Sequence, residues 1–123
     1  CDVTIVSYSR MVLEALAAAE DLSKEGIEAE VVDIRTLRPL DIDTIAVSVK
    51  KTGRAIVVEE DCKTCGFGAE VVASIYEHAF DYLDAPVLRI AGEDVPIPYN
   101  GKLEALAIPN ADVIKKRTLE MVG

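Results

Sequence analysis

Arg54-Ala55-Ile56-Val57-Val58-Glu59-Glu60 holds a near-continuous apolar run, and Val87-Leu88-Arg89-Ile90-Ala91 holds another. A strand with one wet face alternates apolar and polar residues. A run without alternation is the pattern of a strand covered on both faces, as in a parallel sheet packed between helices. These two stretches set the expectation, and the rest of the chain is read outward from them.

Upstream, Val3 to Tyr8 forms a first β-rich run and Ala29 to Arg35, with Val31, Val32 and Ile34, forms a second. Between them Arg10 to Lys24 reads as a helix whose alanines and leucines cover a wide apolar face, closed by Gly26 as a left-handed cap. Pro39 ends the second strand by lacking an amide donor and holding Arg38 extended. Asp41 or Asp43 can cap the next helix, which places Ile42, Ile45, Ala46 and Val49 on one face. Lys50 and Lys51 fall at its negative end. A third helix begins near Gly68 with Val72, Ile75, Tyr76, Ala79 and Phe80 as its apolar stripe. Beyond the fourth strand lie the loop Gly92 to Tyr99, a short turn near Leu103 and a last helix from Asn110 to Val122.

Strand and helix alternating four times imply an α/β fold: three layers, α/β/α, around a mostly parallel sheet of four strands. Residues 1–123 form a single domain of ordinary size. No internal repeat or low-complexity tract interrupts the chain. Half the residues are hydrophobic, so the core is adequate. No apolar run reaches the roughly 20 residues needed to span a membrane. The opening Cys1-Asp2-Val3, without Met or a targeting segment, reads as a fragment or processed product.

The chain carries 13 Lys plus Arg against 22 Asp plus Glu, a net charge of −9. That sign repels a phosphate backbone and attracts a basic protein. No nucleic acid or membrane partner is expected. Three cysteines make no disulfide framework and suit a reducing compartment.

Four motifs carry chemistry in principle. Cys62-Lys63-Thr64-Cys65, read as lying between a strand and a helix, has the spacing of a redox disulfide; the bland reading is two small loop residues. No second cysteine pair completes a zinc site. Gly66-Phe67-Gly68-Ala69-Glu70 has the glycines of a phosphate loop, but Val71 stands where the dinucleotide fingerprint needs a third glycine. Tight turning and close helix packing explain it better. His78, the single histidine, falls off the apolar face of its helix and reads as solvated. Glu59-Glu60-Asp61, read at the strand exit, suits acid–base work but equally solvated charge or helix capping. On these residues alone the chain is an acidic α/β domain without a self-sufficient catalytic set.

A resemblance adds what the residues do not give. Leu22 to Asp41 (LSKEGIEAEVVDIRTLRPLD) is similar to the pyruvate dehydrogenase beta-subunit family. So are Ser48 to Arg54 (SVKKTGR), Val57 to Glu60 (VVEE), Gly66 to Glu70 (GFGAE), Phe80 to Arg89 (FDYLDAPVLR) and Asp94 to Tyr99 (DVPIPY). The order of these segments spans the whole chain. The resemblance implies a transketolase C-terminal-like domain, with an antiparallel edge strand upstream of Cys1 completing five strands. Such an unpaired edge would be prone to self-pairing. It implies a beta subunit of an α2β2 2-oxoacid dehydrogenase, using thiamine diphosphate and magnesium held outside this domain. No catalytic, cofactor-binding or metal residue is carried over.

The implied role is assembly, with an alpha subunit, a second beta subunit and the basic binding domain of the dihydrolipoyl acyltransferase core as partners. Glu77, Asp81 and Asp84 are the candidate acidic patch for that domain, and Tyr99 in the Glu93 to Tyr99 loop is a candidate subunit contact. The implied location is the cytoplasm, or an organelle matrix or stroma. Branched-chain 2-oxoacid and acetoin dehydrogenase beta subunits share the architecture. Transketolase and deoxyxylulose phosphate synthase match less closely. The run Asp61 to Cys65 departs from the family pattern. The competing readings are a stand-alone acidic α/β binding module and a small thiol-redox protein.

Overall fold

The computed structural model describes residues 2–8, 11–34, 42–62, 68–92 and 111–122. Its strands are β1 (Val3–Ser7), β2 (Ala29–Asp33), β3 (Ala55–Cys62) and β4 (Leu88–Gly92). Its helices are α1 (Met11–Ser23), α2 (Ile42–Thr52), α3 (Gly68–Ala79) and α4 (Ala111–Val122), with a 3-10 turn at Phe80–Tyr82. Among the described residues the sheet has four strands in the order β2-β1-β3-β4. Every pairing is parallel, with Ile5 beside both Val31 and Ile56, and Val57 beside Arg89.

Side chains alternate across a strand, so each strand feeds two cores. Val3, Ile5, Ile56, Val58 and Ile90 join Met11, Ala15 and Ala18 of α1 and Ile114 of α4. Val6, Ala55 and Val57 join Ile45 and Val49 of α2 and Val71, Ile75 and Ala79 of α3. The sheet is therefore covered on both faces, as the unbroken apolar runs require. Ile56, Val57 and Val58 are buried in succession, which no one-faced sheet would produce.

Local chemistry sets the ends of the elements. Gly26 takes φ +83°. Its amide donates to the Ser23 carbonyl at 3.2 Å and that of Ile27 to the Leu22 carbonyl at 3.0 Å, which closes α1. The α4 N-terminus is capped from another helix, by the Glu14 carboxylate accepting from the Ala111 amide at 2.9 Å. Thr4 and Ser48 share a buried hydroxyl contact of 2.8 Å, and Thr4 and Thr52 another, which fasten α2 over β1.

Four sequence expectations change. Leu13 and Leu16 of α1 are 71% and 50% exposed, so the apolar face of that helix is narrower than its composition implies. Phe80 is 64% exposed because α3 ends at Ala79 and the tighter turn swings residue 80 off the stripe. β3 continues to Cys62 through a register irregularity after Val58. Asp61 and Cys62 thus belong to the strand and not to the loop beyond it. The strand expected through Tyr8 ends at Ser7 and the one expected through Arg35 ends at Asp33. Asp41, Cys65 and the turn near Leu103 lie outside the described residues.

At the open side of β2, the Lys51 ammonium donates to the Glu30 carboxylate, and this bond lowers the Glu30 pKa below its usual value of 4.5. A carboxylate with a lowered folded pKa adds stability above its unfolded value, and that stability is lost as pH falls through the folded value. Lys51 is 53% exposed at its side chain, so the pair is worth under about 1 kcal/mol. Lys51→Met should lower the melting temperature slightly at pH 7, and the difference from the unsubstituted protein should vanish once pH falls well below 4.5.

Candidate functional site

Two polar arrangements stand out, one buried and one exposed. The buried one begins with a conflict in the sequence: Arg89 sits in an apolar parallel strand, and an isolated charge is costly there. Glu59, two residues beyond Val57 on the neighbouring strand β3, resolves it. Its side chain is fully buried and accepts from Arg89 Nε at 2.7 Å, with a second contact from the other guanidinium nitrogen. Its other oxygen accepts from the Gly68 amide at 2.6 Å, the first residue of α3. One carboxylate thus ties β3, β4 and α3 together, and its negative charge complements the positive end of the helix.

Gly68 is dictated by this arrangement. A Cβ there would lie 2.5 Å from a Glu59 carboxylate oxygen, and the buried carboxylate has no room to retreat. The glycine in the Gly66 to Glu70 segment therefore serves close packing. The Gly68 amide, which a phosphate would have needed, is already occupied by Glu59. Of the Glu59-Glu60-Asp61 run, Glu59 is a helix cap and structural ion-pair member.

The exposed arrangement lies at the far end of α3. Glu77 and His78 are exposed on the helix, and the His78 ring is 2.9 Å from the Ser74 carbonyl. Asp81 is exposed in the 3-10 turn and so is not on α3 itself. Asp81 and Asp84 line one open groove of about 520 Å³ with Tyr76, Phe80, Leu83, Ala85 and Pro86. Glu77 lies outside that lining, and Tyr99 lies outside the described residues.

The groove walls are fastened. The Tyr76 hydroxyl accepts from the Val87 amide at 2.9 Å. The Asp84 amide donates to the Gly53 carbonyl at 2.7 Å. Gly53 has φ +74° and packs so close that a Cβ would meet the Asp84 carboxylate at 2.5 Å. The Lys50 ammonium sits 5.2 Å from the Tyr82 ring centroid.

Among the described residues no three His, Cys, Asp or Glu side chains converge to hold a metal ion. The Glu59 carboxylate is already engaged by Arg89 and by the Gly68 amide. No described helix is long and apolar enough to cross a membrane. The sequence carried one overlooked signal for the buried site, the charge of Arg89 inside an apolar strand. Its partner was hidden because three acidic residues stood together at the end of β3.

Comparison with known proteins gives the family of this doubly covered parallel sheet. The transketolase C-terminal domain family matches residues 1–114, and the chain belongs to it. Over 113 residues it is 56% identical to the mitochondrial pyruvate dehydrogenase E1 component subunit beta-2 of Oryza sativa subsp. japonica. It is 48% identical over 114 residues to the pyruvate dehydrogenase E1 component subunit beta of Rhizobium meliloti (strain 1021). These matches cover 92% of this chain but 30% and 25% of the relatives, so the chain spans under a third of their length. A solved split gene transketolase, an inactive beta4 tetramer, superposes with a TM-score of 0.78 at 28% identity. That match covers 98% of this chain and 38% of the other.

Removing one partner of a buried ion pair costs about 3–5 kcal/mol, because the other charge is left uncompensated. Glu59→Ala should lower unfolding stability by about that amount. Glu59→Gln should cost less, since its amide oxygen still accepts from Gly68. Denaturant melts of the two variants check the order.

Proposed function

We propose that the chain is the C-terminal domain of the beta subunit of pyruvate dehydrogenase (acetyl-transferring), a thiamine-diphosphate- and magnesium-dependent 2-oxoacid dehydrogenase. The observation that carries this reading is the 56% identity to a pyruvate dehydrogenase E1 beta subunit across 92% of the chain. Thiamine diphosphate supplies the decarboxylation chemistry when bound elsewhere in the enzyme. The part these residues play is to associate with an alpha subunit and a second beta subunit in an α2β2 assembly. The isolated domain is inactive in this reading, and the location is the cytoplasm, a mitochondrial matrix or a stroma.

The second part of the proposal is docking to the basic binding domain of the dihydrolipoyl acyltransferase core. Net charge −9 and the exposed carboxylates Glu77, Asp81 and Asp84 support it. Opposite charges across such a surface steer encounter and set its salt dependence. A stand-alone binding module has the same surface but needs no alpha subunit. Tyr99 remains the proposed contact to a neighbouring subunit.

Two measurements test the proposal. The full-length subunit, assembled with its alpha partner, should turn over pyruvate in preference to branched-chain 2-oxoacids or acetoin. Preference for either of the others reassigns the substrate. In the same enzyme, Glu77→Lys with Asp81→Lys should weaken core-domain binding at least tenfold at low salt, with a smaller effect at high salt. Unchanged affinity removes the docking role.

A further inference from the structure

We infer that the buried hydroxyl of Thr4 is a two-position switch between Ser48 and Thr52, and that its setting is governed from the surface by Glu30. The observation that carries this is a row of oxygens that crosses from β2 to α2 to β1 and back to the end of α2. The Ser48 hydroxyl bonds the Glu30 carboxylate. Thr4 Oγ1 lies 2.8 Å from Ser48 Oγ and 2.8 Å from Thr52 Oγ1. The Thr52 hydroxyl in turn donates to the Arg54 carbonyl at 2.9 Å. Thr4 is fully buried, and Ser48 and Thr52 are nearly so.

The hydrogens available along this row decide what it can do. It has four contacts and three hydroxyls, each with a single hydrogen to give. Both ends, an ionised carboxylate and a carbonyl, only accept. One contact therefore holds no hydrogen. A bond to a charged carboxylate is roughly twice as strong as a neutral one, so Ser48 gives its hydrogen to Glu30. Thr52 gives its own to Arg54. The shortage falls on Thr4, whose one hydrogen serves Ser48 or Thr52 but not both. The two settings use equal contacts of 2.8 Å, so neither is favoured by distance. Thr4 has no exposed surface through which bulk water could supply the missing hydrogen.

A neutral group at residue 30 removes the shortage. A protonated carboxyl, or the amide of Gln, donates to Ser48. Ser48 then turns its hydrogen to Thr4, Thr4 to Thr52 and Thr52 to Arg54, and every contact is filled. A filled row holds α2 against β1 more tightly than a deficient one. Lys51, from α2, is the charged side chain set against Glu30 among the described residues, and it keeps that carboxylate ionised. The Lys51 side chain is itself 53% exposed, so a buried contact answers to a charge that lies within reach of solvent.

The test is amide hydrogen exchange of the α2 segment in the full-length subunit, read as a cycle of Thr4→Val and Glu30→Gln. Both arms carry Lys51→Met, so that loss of the ion pair is common to them. Valine keeps the shape of threonine without its hydroxyl. With Glu at residue 30 the change removes one hydrogen bond, and exchange should quicken about fivefold. With Gln it removes two, and exchange should quicken about 25-fold. Ser48→Ala cuts the row between the surface and Thr4, so in that background Thr4→Val should give about fivefold with either residue. Thr4→Ser keeps the hydroxyl and loses only a methyl, so its effect should be the same with Glu and Gln. Equal effects of Thr4→Val with Glu and Gln overturn the inference, as does a difference that survives Ser48→Ala. A difference for Thr4→Ser as large as that for Thr4→Val assigns the coupling to packing and overturns it too.

Discussion

Everything on the α3 side of this domain depends on one buried carboxylate. Glu59 neutralises Arg89 on the neighbouring strand and caps the first amide of α3, so three elements share a single anchor. A buried ion pair is not by itself a large source of stability, because desolvation offsets much of the attraction. What it does confer here is position. The amide of Gly68 has one place to go, and the helix axis follows from it. Ile75 and Ala79 then reach the β3 face, and the far end of the helix emerges beside the segment that leads into β4.

That far end carries the exposed acidic groove. The 3-10 turn at Phe80–Tyr82 rotates an aromatic ring out of the core and brings Asp81 to the same groove as Asp84. Two bonds, to Val87 and to Gly53, fix the groove against the sheet edge and α2. The acidic surface is thus mounted on the same frame that Glu59 braces.

The sequence carried much of this in plain sight. Unbroken apolar runs in β3 and β4 gave the two-sided sheet, and Gly26 gave the end of α1. Glu77 was legible as acidic and outward because the helical stripe fixed what was inward, whereas Asp81 sits in the 3-10 turn beyond that helix. It failed at particular residues for particular reasons. Helical periodicity assigned Phe80 to the core, but a helix that tightens to a 3-10 turn changes the angle per residue. Composition assigned Leu13 and Leu16 to a buried face, yet burial depends on which neighbours arrive, and α4 reaches only part of α1.

By itself, then, the sequence determined the alternation of elements, the parallel double-covered sheet, the acidic balance and the family, because periodicity, turn chemistry and similarity are local or additive properties of the string. Tertiary structure alone decided that Glu59, of three adjacent acids, is the buried partner of Arg89. That is a pairing between residues whose approach is set by strand register and helix packing, and no spacing along the chain encodes it.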